Sequence, residues 1–317
     1  MTITVIGHLC LDDIRHADGR TTRSYGGIYF AVATLAGVLL PGDAVRPVFG
    51  VGKDEYQEFI TLLGRWPNVD TSGIYRLPGP TNSVSLGYGP GEGRTEMSRD
   101  IAGPVPYKKI QPALDADLVM INMISGFDVT IDTLDEIRMK TRDLSIPVFL
   151  DVHSLTLGVR ENSERFRAPV EIWRRWLFML HTVQMNSEEA AALTPEKYSE
   201  GDFVKQALAL NTHNLCLTRG ASGCTLFVNQ KKHVIRRDIE GISVNDAVDP
   251  TGCGDVFGAA YCAHLVHSGD AAAAAEYANT VAAGKAEIAG SSQIDRLSLF
   301  RLDRADLDLL KMEKAGK

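Results

Sequence analysis

Apolar and polar residues follow each other in blocks along the chain, and these blocks predict an order of strands and helices. Residues 2–6 form a short, β-branched apolar run with the composition of a buried parallel strand. Similar runs at residues 116–123, 147–152 and 182–185 alternate with helical patterns such as that of residues 131–142. This alternation predicts an α/β fold with a mostly parallel sheet and helices on both of its faces.

A different pattern interrupts this rhythm between residues 81 and 97, where apolar and polar positions alternate around a cluster of glycines. Such a segment predicts a β-hairpin with glycine at its turn. Arg94 lies at this turn, where a solvated charge is the simpler interpretation and a contact with substrate or phosphate is the alternative. The glycines do not form a Walker A loop, because only three residues separate Gly89 from Gly93 and an arginine follows.

Composition narrows the class of protein. The 317 residues are 44% hydrophobic and 23% charged, which is ordinary for a globular chain, and the formal net charge is −7. A polyanion-binding protein normally carries a basic excess, so nucleic acid is not expected as a partner. No apolar run approaches the roughly 18 residues that a membrane span needs, so no membrane partner is expected either.

The five cysteines are scattered and show no zinc-binding spacing. An odd and sparse set is typical of reduced thiols, and the first residues lack the basic region of a signal peptide. We therefore expect a cytoplasmic protein.

The stretch Val-Asp-Pro-Thr-Gly-Cys-Gly-Asp-Val-Phe-Gly at residues 248–258 carries the strongest chemical signal. Its glycines precede an apolar helical run, so the amides of Gly252, Cys253 and Gly254 are predicted to meet the start of a helix, where free N–H groups bind anions. An acid does not suit a simple phosphate site, but Asp255 suits one where a carboxylate takes a proton from an attacking hydroxyl. The alternative is a glycine-rich turn with Asp255 as a capping acid.

The string Asp-Pro-Thr-Gly-Cys-Gly-Asp closely resembles the C-terminal signature of the ribokinase-like (carbohydrate kinase) family, usually Asp-Thr-x-Gly-Ala-Gly-Asp. The resemblance implies that Asp255 is the catalytic base and that the amides of Gly252, Cys253 and Gly254 form the anion hole. It also implies one ribokinase-like α/β domain over residues 1–317, with a small β lid formed by about 13–25 and 72–100. ATP would be the phosphoryl donor, with Mg²⁺.

Asn186 and Glu189 follow the strand at 182–185 with the spacing of the family's Asn-x-x-Glu, which orders Mg²⁺ through its waters. The resemblance therefore assigns both residues to the ATP site and Glu189 to the metal, through water. Taken alone, however, the same segment predicts a capped helix start, with asparagine at the N-cap and acids in the first turn.

Three residues match the family's Thr-x-Gly-x-x-Gly, which lines the nucleotide: Thr218, Gly220 and Gly223. A glycine-rich hairpin is the alternative interpretation of this segment. The resemblance further places Asn279 near adenine and allows a monovalent cation near Asp249.

The acceptor side matches the family less closely. Asp12 takes the place of the aspartate that binds a substrate hydroxyl, but Cys10 stands where asparagine is common. Gly26 and Gly27 match the family's Gly-Gly-x-x-x-Asn, whereas Ala31 replaces its asparagine. These departures, with Asp-Val-His at residues 151–153, favour an inositol-like or nucleoside acceptor over ribose; His153 itself is more simply structural.

The expected function is transfer of the γ-phosphoryl group of ATP to a hydroxyl of a small sugar, polyol or nucleoside. A catalytically inactive sensor of nucleotide or sugar with the same fold is the alternative. A Rossmann-type dehydrogenase is disfavoured, because Gly7-His8-Leu9 lacks the required Gly-x-Gly-x-x-Gly. The small-molecule alcohol is the expected partner, and a homodimer is a further expectation, since many relatives pair through the lid.

Overall fold

The structure is a computed structural model, and it describes residues 1–15, 19, 21–87, 95–230, 233–244 and 247–315. Its centre is a large sheet, in which the described residues form nine strands. In spatial order they are β15 (His233–Glu240), β14 (Gly223–Gln230), β13 (Asn214–Thr218), β12 (Thr182–Asn186), β9 (Val148–Asp151), β8 (Leu118–Asn122), β1 (Thr2–Ile6), β4 (Ala44–Val51) and β5 (Ile74–Arg76). Neighbouring strands from β13 to β5 are parallel, whereas β14 is antiparallel to both β13 and β15.

Helices cover both faces of this sheet, which confirms the predicted α/β class. The central strands are apolar on both sides: Met120 of β8 packs into one buried cluster, whereas Val119 and Ile121 pack into a second. The described helices are α1 (Ile28–Val38), α2 (Tyr56–Leu63), α3 (Tyr107–Ile110), α4 (Ile131–Asp143), α5 (Trp173–Phe178), α6 (Ser187–Leu193), α7 (Glu200–Leu208), α8 (Cys253–Ser268), α9 (Ala271–Ala286) and α10 (Arg304–Ala315). The first cluster includes residues of α1, α8 and α9, and the second includes residues of α4 to α7. None of the described helices is long and apolar enough to cross a membrane.

A separate small sheet is built from the two segments that were expected to form a lid. Its spatial order is β3 (Thr21–Gly27), β2 (Leu9–Arg15), β6 (Asn82–Gly87) and β7 (Thr95–Arg99). β5 lies inside the expected lid range of 72–100, yet it pairs with β4 in the large sheet instead. The turn between β6 and β7, which contains Arg94, lies outside the described residues.

A two-stranded hairpin, which the sequence analysis did not predict, joins the small sheet. It consists of β10 (Leu157–Val159) and β11 (Arg165–Arg167). An antiparallel bridge between Met97 and Glu164 connects it to β7. The hairpin thereby brings the side chains of Arg165, Phe166 and Arg167 to the cavity at the carboxyl ends of the central strands.

Candidate active site

A cavity of about 490 Å³ opens where the parallel strands end, which is the usual ligand position in an open α/β sheet. Asp255, in the first turn of α8, lines it and is 4% exposed. The Asn122 side chain, at the end of β8, donates a 2.8 Å hydrogen bond from Nδ2 to Asp255 Oδ1. The strand thus fixes the direction of a carboxylate that is 133 residues away in the chain.

The amides before Asp255 are not equivalent. The Cys253 N–H donates to the Pro250 carbonyl at 3.1 Å, so it is already engaged. Within the described part of the chain, the N–H groups of Gly252 and Gly254 have no acceptor, and both residues line the cavity. Of the three amides expected to form an anion hole, those of Gly252 and Gly254 are thus available to a ligand, whereas that of Cys253 is engaged within the loop. Burial raises the pKa of the Cys253 thiol to about 11, so this side chain stays protonated near neutral pH.

The conformation at Gly252 requires glycine. Its φ is 82°, in the left-handed region, and it caps the start of α8. A Cβ there would lie 2.7 Å from ring carbons of Phe30, which is 1% exposed and cannot move aside. The loop into α8 is thus packed directly on α1.

Two further carboxyl groups lie near Asp255. Asp151, at the end of β9, is 3% exposed, and burial together with the charges of Glu189 and Asp255 raises its pKa well above the usual range. Burial also raises the pKa of Glu189 to about 7, against an opposing hydrogen bond from the Asn186 backbone. Burial and mutual repulsion thus favour the protonated forms of Asp151 and Glu189, and a divalent cation would instead stabilise the ionised carboxylates.

Asn186 and Glu189 form the capping box of α6, as the simpler interpretation predicted. The Asn186 backbone N–H and Nδ2 each donate to a Glu189 carboxylate oxygen at 2.8 Å, and the Glu189 N–H donates to Asn186 Oδ1 at 2.8 Å. Both residues also line the cavity. The described residues contain no group of three potential ligands that could hold a metal directly. The set fits Mg²⁺ that keeps most of its waters and binds phosphate oxygens, as this ion usually does.

At the acceptor end, Asp12 lies in β2, lines the cavity and is 6% exposed. Its carboxylate packs against the backbone of Gly26 in β3, where a Cβ would lie 1.7 Å from Asp12 Oδ2. Gly27, at the N-cap of α1, also lines the cavity, whereas Gly26 does not. His153 lines the cavity too, and its Nδ1 is 2.9 Å from Ser154 Oγ.

Arg165 is a cavity residue that sequence reasoning missed, since an arginine in an unpatterned polar segment gives no signal. Its side chain is 3% exposed. Nε donates to Ser98 Oγ at 2.8 Å and Nη2 donates to the Ser125 carbonyl at 2.7 Å, while Nη1 has no hydrogen-bond partner among the described residues. Glu96 Oε1 lies 3.9 Å from Arg165 Nε, and Glu96 also lines the cavity.

Unpaired polar atoms concentrate at this cavity. Eight buried side-chain atoms of the described chain lack a hydrogen-bond partner, and four of them belong to cavity-lining residues. Because buried polar groups are normally hydrogen-bonded, these atoms indicate a polar ligand. They are Asp151 Oδ2, Arg165 Nη1, Gln184 Oε1 and Thr251 Oγ1.

The residues expected to bind the nucleotide separate into two groups. Thr218 lines the cavity, but Gly220, Gly223 and Asn279 are not among its lining residues. Asn279 Nδ2 donates to the Glu240 carbonyl at 2.9 Å. Arg219, which follows Thr218, donates to both carboxylate oxygens of Glu200 at 2.7 and 3.0 Å, so its charge is already paired.

The surroundings of Asp249 do not fit an added monovalent cation. The carboxylate accepts the N–H groups of Thr251 and Gly290 at 2.9 and 2.8 Å, and these bonds outweigh burial and lower its pKa. The Asp249 carbonyl accepts a hydrogen bond from Lys285 Nζ at 3.3 Å. The oxygens that could hold a cation here are already engaged.

Comparison with known proteins agrees with this architecture. Residues 164–294 match the model of the pfkB family carbohydrate kinases. A cytidine kinase of Thermococcus kodakarensis is 27% identical over 286 residues, which cover 83% of this chain and 88% of the relative.

Solved structures share the fold at lower identity. A pyrophosphate-dependent kinase in the ribokinase family superposes with a TM-score of 0.74 at 21% identity, covering 96% of this chain and 99% of the other. A ribokinase of Thermotoga maritima gives 0.71 at 17% identity, covering 98% and 99%. A nucleoside kinase of Burkholderia thailandensis, solved with inosine, gives 0.70 at 17% identity, covering 99% and 98%. The fold is therefore that of the ribokinase-like kinases, and residues 164–294 are similar to the pfkB family carbohydrate kinases.

Proposed function

We propose that this protein transfers a terminal phosphoryl group to a hydroxyl of a small polyol, sugar or nucleoside. The observation that carries the proposal is that one cavity holds a buried carboxylate, Asp255, beside the amides of Gly252 and Gly254, which have no acceptor among the residues that the structure describes. In this proposal residues 1–317 work as one domain, and the sheet of β2, β3, β6 and β7 is the lid that excludes water.

Asp255 would act as the general base. As the new bond between the acceptor oxygen and phosphorus forms and the bond to the donor's bridging oxygen breaks, the hydroxyl proton passes to Asp255. The hydrogen bond from Asn122 Nδ2 leaves Asp255 Oδ1 fixed, so the carboxylate needs no reorientation during the reaction. A positioned base of this kind typically contributes about 10²–10⁴ in rate.

The N–H groups of Gly252 and Gly254 would bind the phosphoryl oxygens, assisted by the positive end of the α8 dipole. Such N–H groups stabilise charge as it redistributes in the transition state, and each is commonly worth about 10²–10³ in rate.

Mg²⁺, when bound, would neutralise the phosphates of the phosphoryl donor. Asp151 and Glu189 would steer it through its water ligands, which is consistent with the unpaired Asp151 Oδ2.

Asp12 and Arg165 support a neutral, hydroxyl-rich acceptor. Asp12 and Glu96 bring two carboxyl groups to the acceptor end, and these would repel a second anion. The free Nη1 of Arg165 donates only, so it suits a hydroxyl, carbonyl or ring-nitrogen acceptor atom. A nucleoside or an inositol-like polyol meets both conditions, in line with the relatives that phosphorylate cytidine or are solved with myo-inositol.

ATP is the donor that we propose first, because the ribokinase-like family uses it. Pyrophosphate is a second candidate, favoured by a specific observation: the cavity lining reaches Thr218 but not Gly220, Gly223 or Asn279. The Asn279 amide is engaged by Glu240, so the groups near the cavity recognise phosphate rather than a base. Three structural neighbours belong to pyrophosphate-dependent kinases.

A screen of both donors tests the proposal. The protein is incubated with Mg²⁺, with either ATP or pyrophosphate, and with a panel of nucleosides, inositols and sugars, and products are followed by phosphorus NMR. The proposal predicts a phosphate monoester with at least one acceptor. Calorimetric binding of donor and acceptor without any product would instead favour the inactive sensor.

A further inference from the structure

Lys285 is completely buried near the end of α9, directly behind the loop that carries the amides of the anion hole. Its Nζ donates to the carbonyls of Asp249 and Ile288 at 3.3 and 2.9 Å and lies 5.4 Å from the centre of the Phe30 ring. A buried lysine is rare unless its charge is compensated. This one is surrounded by carbonyl oxygens and an aromatic face, as an alkali cation would be.

The contacts of Lys285 connect it to the anion hole through the main chain. The loop that begins at Asp249 turns at Gly252 and then leads into α8. The Phe30 ring lies between the two groups, because it faces Lys285 and also packs against Gly252. The Asp249 carboxylate holds Thr251 N–H on one side and Gly290 N–H on the other. The ammonium therefore ties α9, α1 and the loop together at one point.

The positive charge of Lys285 also acts electrostatically on the proposed phosphoryl-transfer site. The electrostatic partners of the ammonium include Asp249 and Asp255, and burial is the main effect that lowers its pKa. At low effective dielectric, a fixed cation behind the loop raises the positive potential of amides that receive phosphoryl oxygens. Unlike a dissolved ion, it is always present.

We propose that the Lys285 ammonium is a built-in cation that takes the place of a bound monovalent ion and positions the Asp249–Gly252 loop for phosphoryl transfer. The protein's turnover and its folding are then independent of potassium. The expected effect of Lys285 on turnover rests on the proposed function. The expected effect of Lys285 on the loop does not depend on that function.

The first test uses the unaltered protein. Turnover and the thermal unfolding midpoint are measured in tetramethylammonium chloride and in KCl at a matched ionic strength of about 0.1 M. We expect kcat to differ by less than about twofold and the midpoint to stay unchanged. A rise in kcat of about tenfold or more with potassium, or a midpoint that climbs with potassium, would overturn the inference. If no donor and acceptor pair gives turnover, the proposed function fails, while the unfolding measurement still decides the role of Lys285.

The second test replaces the ammonium. Lys285→Met keeps most of the side-chain volume and removes the charge, and we expect kcat to fall by about 10²-fold while KM for the acceptor stays within about threefold. Added potassium or ammonium ions should raise the kcat of Lys285→Met by at least about tenfold and should raise its unfolding midpoint. Lys205→Met, at an exposed lysine of α7, is the matched control and should show neither effect. A Lys285→Met protein with unaltered kcat in potassium-free buffer would overturn the inference, as would one that these ions do not restore.

Discussion

Replacement of Gly252 by alanine tests whether the loop before α8 has the tight packing that the anion hole needs. The left-handed φ of 82° costs an L-residue roughly 1–2 kcal/mol. The new Cβ would also lie 2.7 Å from the buried Phe30 ring, and overpacking of this kind costs about 1–3 kcal/mol. The sum is a loss of about 2–5 kcal/mol in the free energy of unfolding, together with a displaced loop. Since a shift of about 1 Å can cost 10²-fold in rate, we expect kcat to fall by about that factor.

Gly269→Ala separates the two contributions. Gly269 ends the same helix with φ of 60°, and a Cβ there would contact nothing within 4 Å, so only the backbone cost applies. Urea unfolding gives the stability of both variants, and steady-state phosphoryl transfer gives kcat. If Gly252→Ala loses no more stability than Gly269→Ala and keeps its turnover within about threefold, the loop is not tightly packed and the reasoning is refuted.

Three further predictions address individual side chains. Arg165→Met should raise KM for the acceptor by about 10–100-fold and leave KM for the donor unchanged, because a hydrogen bond to a charged group is worth about 1.5–3 kcal/mol. Arg160→Met, at an exposed arginine of the same hairpin, is the control. Equal effects of Arg165→Met on the KM values of donor and acceptor would contradict the assignment of Arg165 to the acceptor. Burial raises the pKa of Glu189 from 4.5 to about 7, so the folded state keeps a proton that the unfolded chain releases. The contribution of this proton to the free energy of unfolding is therefore complete below about pH 4.5 and is lost as the pH rises through about 7. Urea unfolding at several pH values should show this loss, at most about 3 kcal/mol, and Glu189→Gln should abolish it; an unchanged slope would argue against the raised pKa. Cys253→Ala should keep kcat within about twofold, since burial keeps this thiol protonated and the proposed transfer gives it no role, and a large loss would assign the thiol a part in the reaction.

The fold could be predicted from sequence because its signals are local. Strands buried on both faces give uninterrupted apolar runs, as in β8 and β9, and the helices between them show their own period. The glycines and acid at residues 252–255 are likewise one short segment, so their place at the start of α8 was predictable. The capping interpretation of Asn186 and Glu189 was confirmed for the same reason, because a capping box involves residues only three positions apart.

What could not be predicted depends on contacts between distant segments. The bond from Asn122 to Asp255 spans 133 residues, and the contact between Lys285 and Asp249 spans 36. Arg165 reaches the cavity only because its hairpin pairs with β7, a pairing that no periodicity in the sequence reveals. The engagement of the Cys253 amide is local but depends on the loop's dihedral angles, which the glycine-rich string does not determine.

The central claim is that Asp255 removes the proton from the attacking hydroxyl. The most direct measurement is the single-turnover rate of phosphoryl transfer in Asp255→Asn, taken beside the calorimetric Kd of donor and acceptor. The account predicts a rate at least about 10²–10⁴-fold lower, with both Kd values within about threefold of the unaltered protein. A rate that stays within about tenfold, with binding intact, would contradict the account.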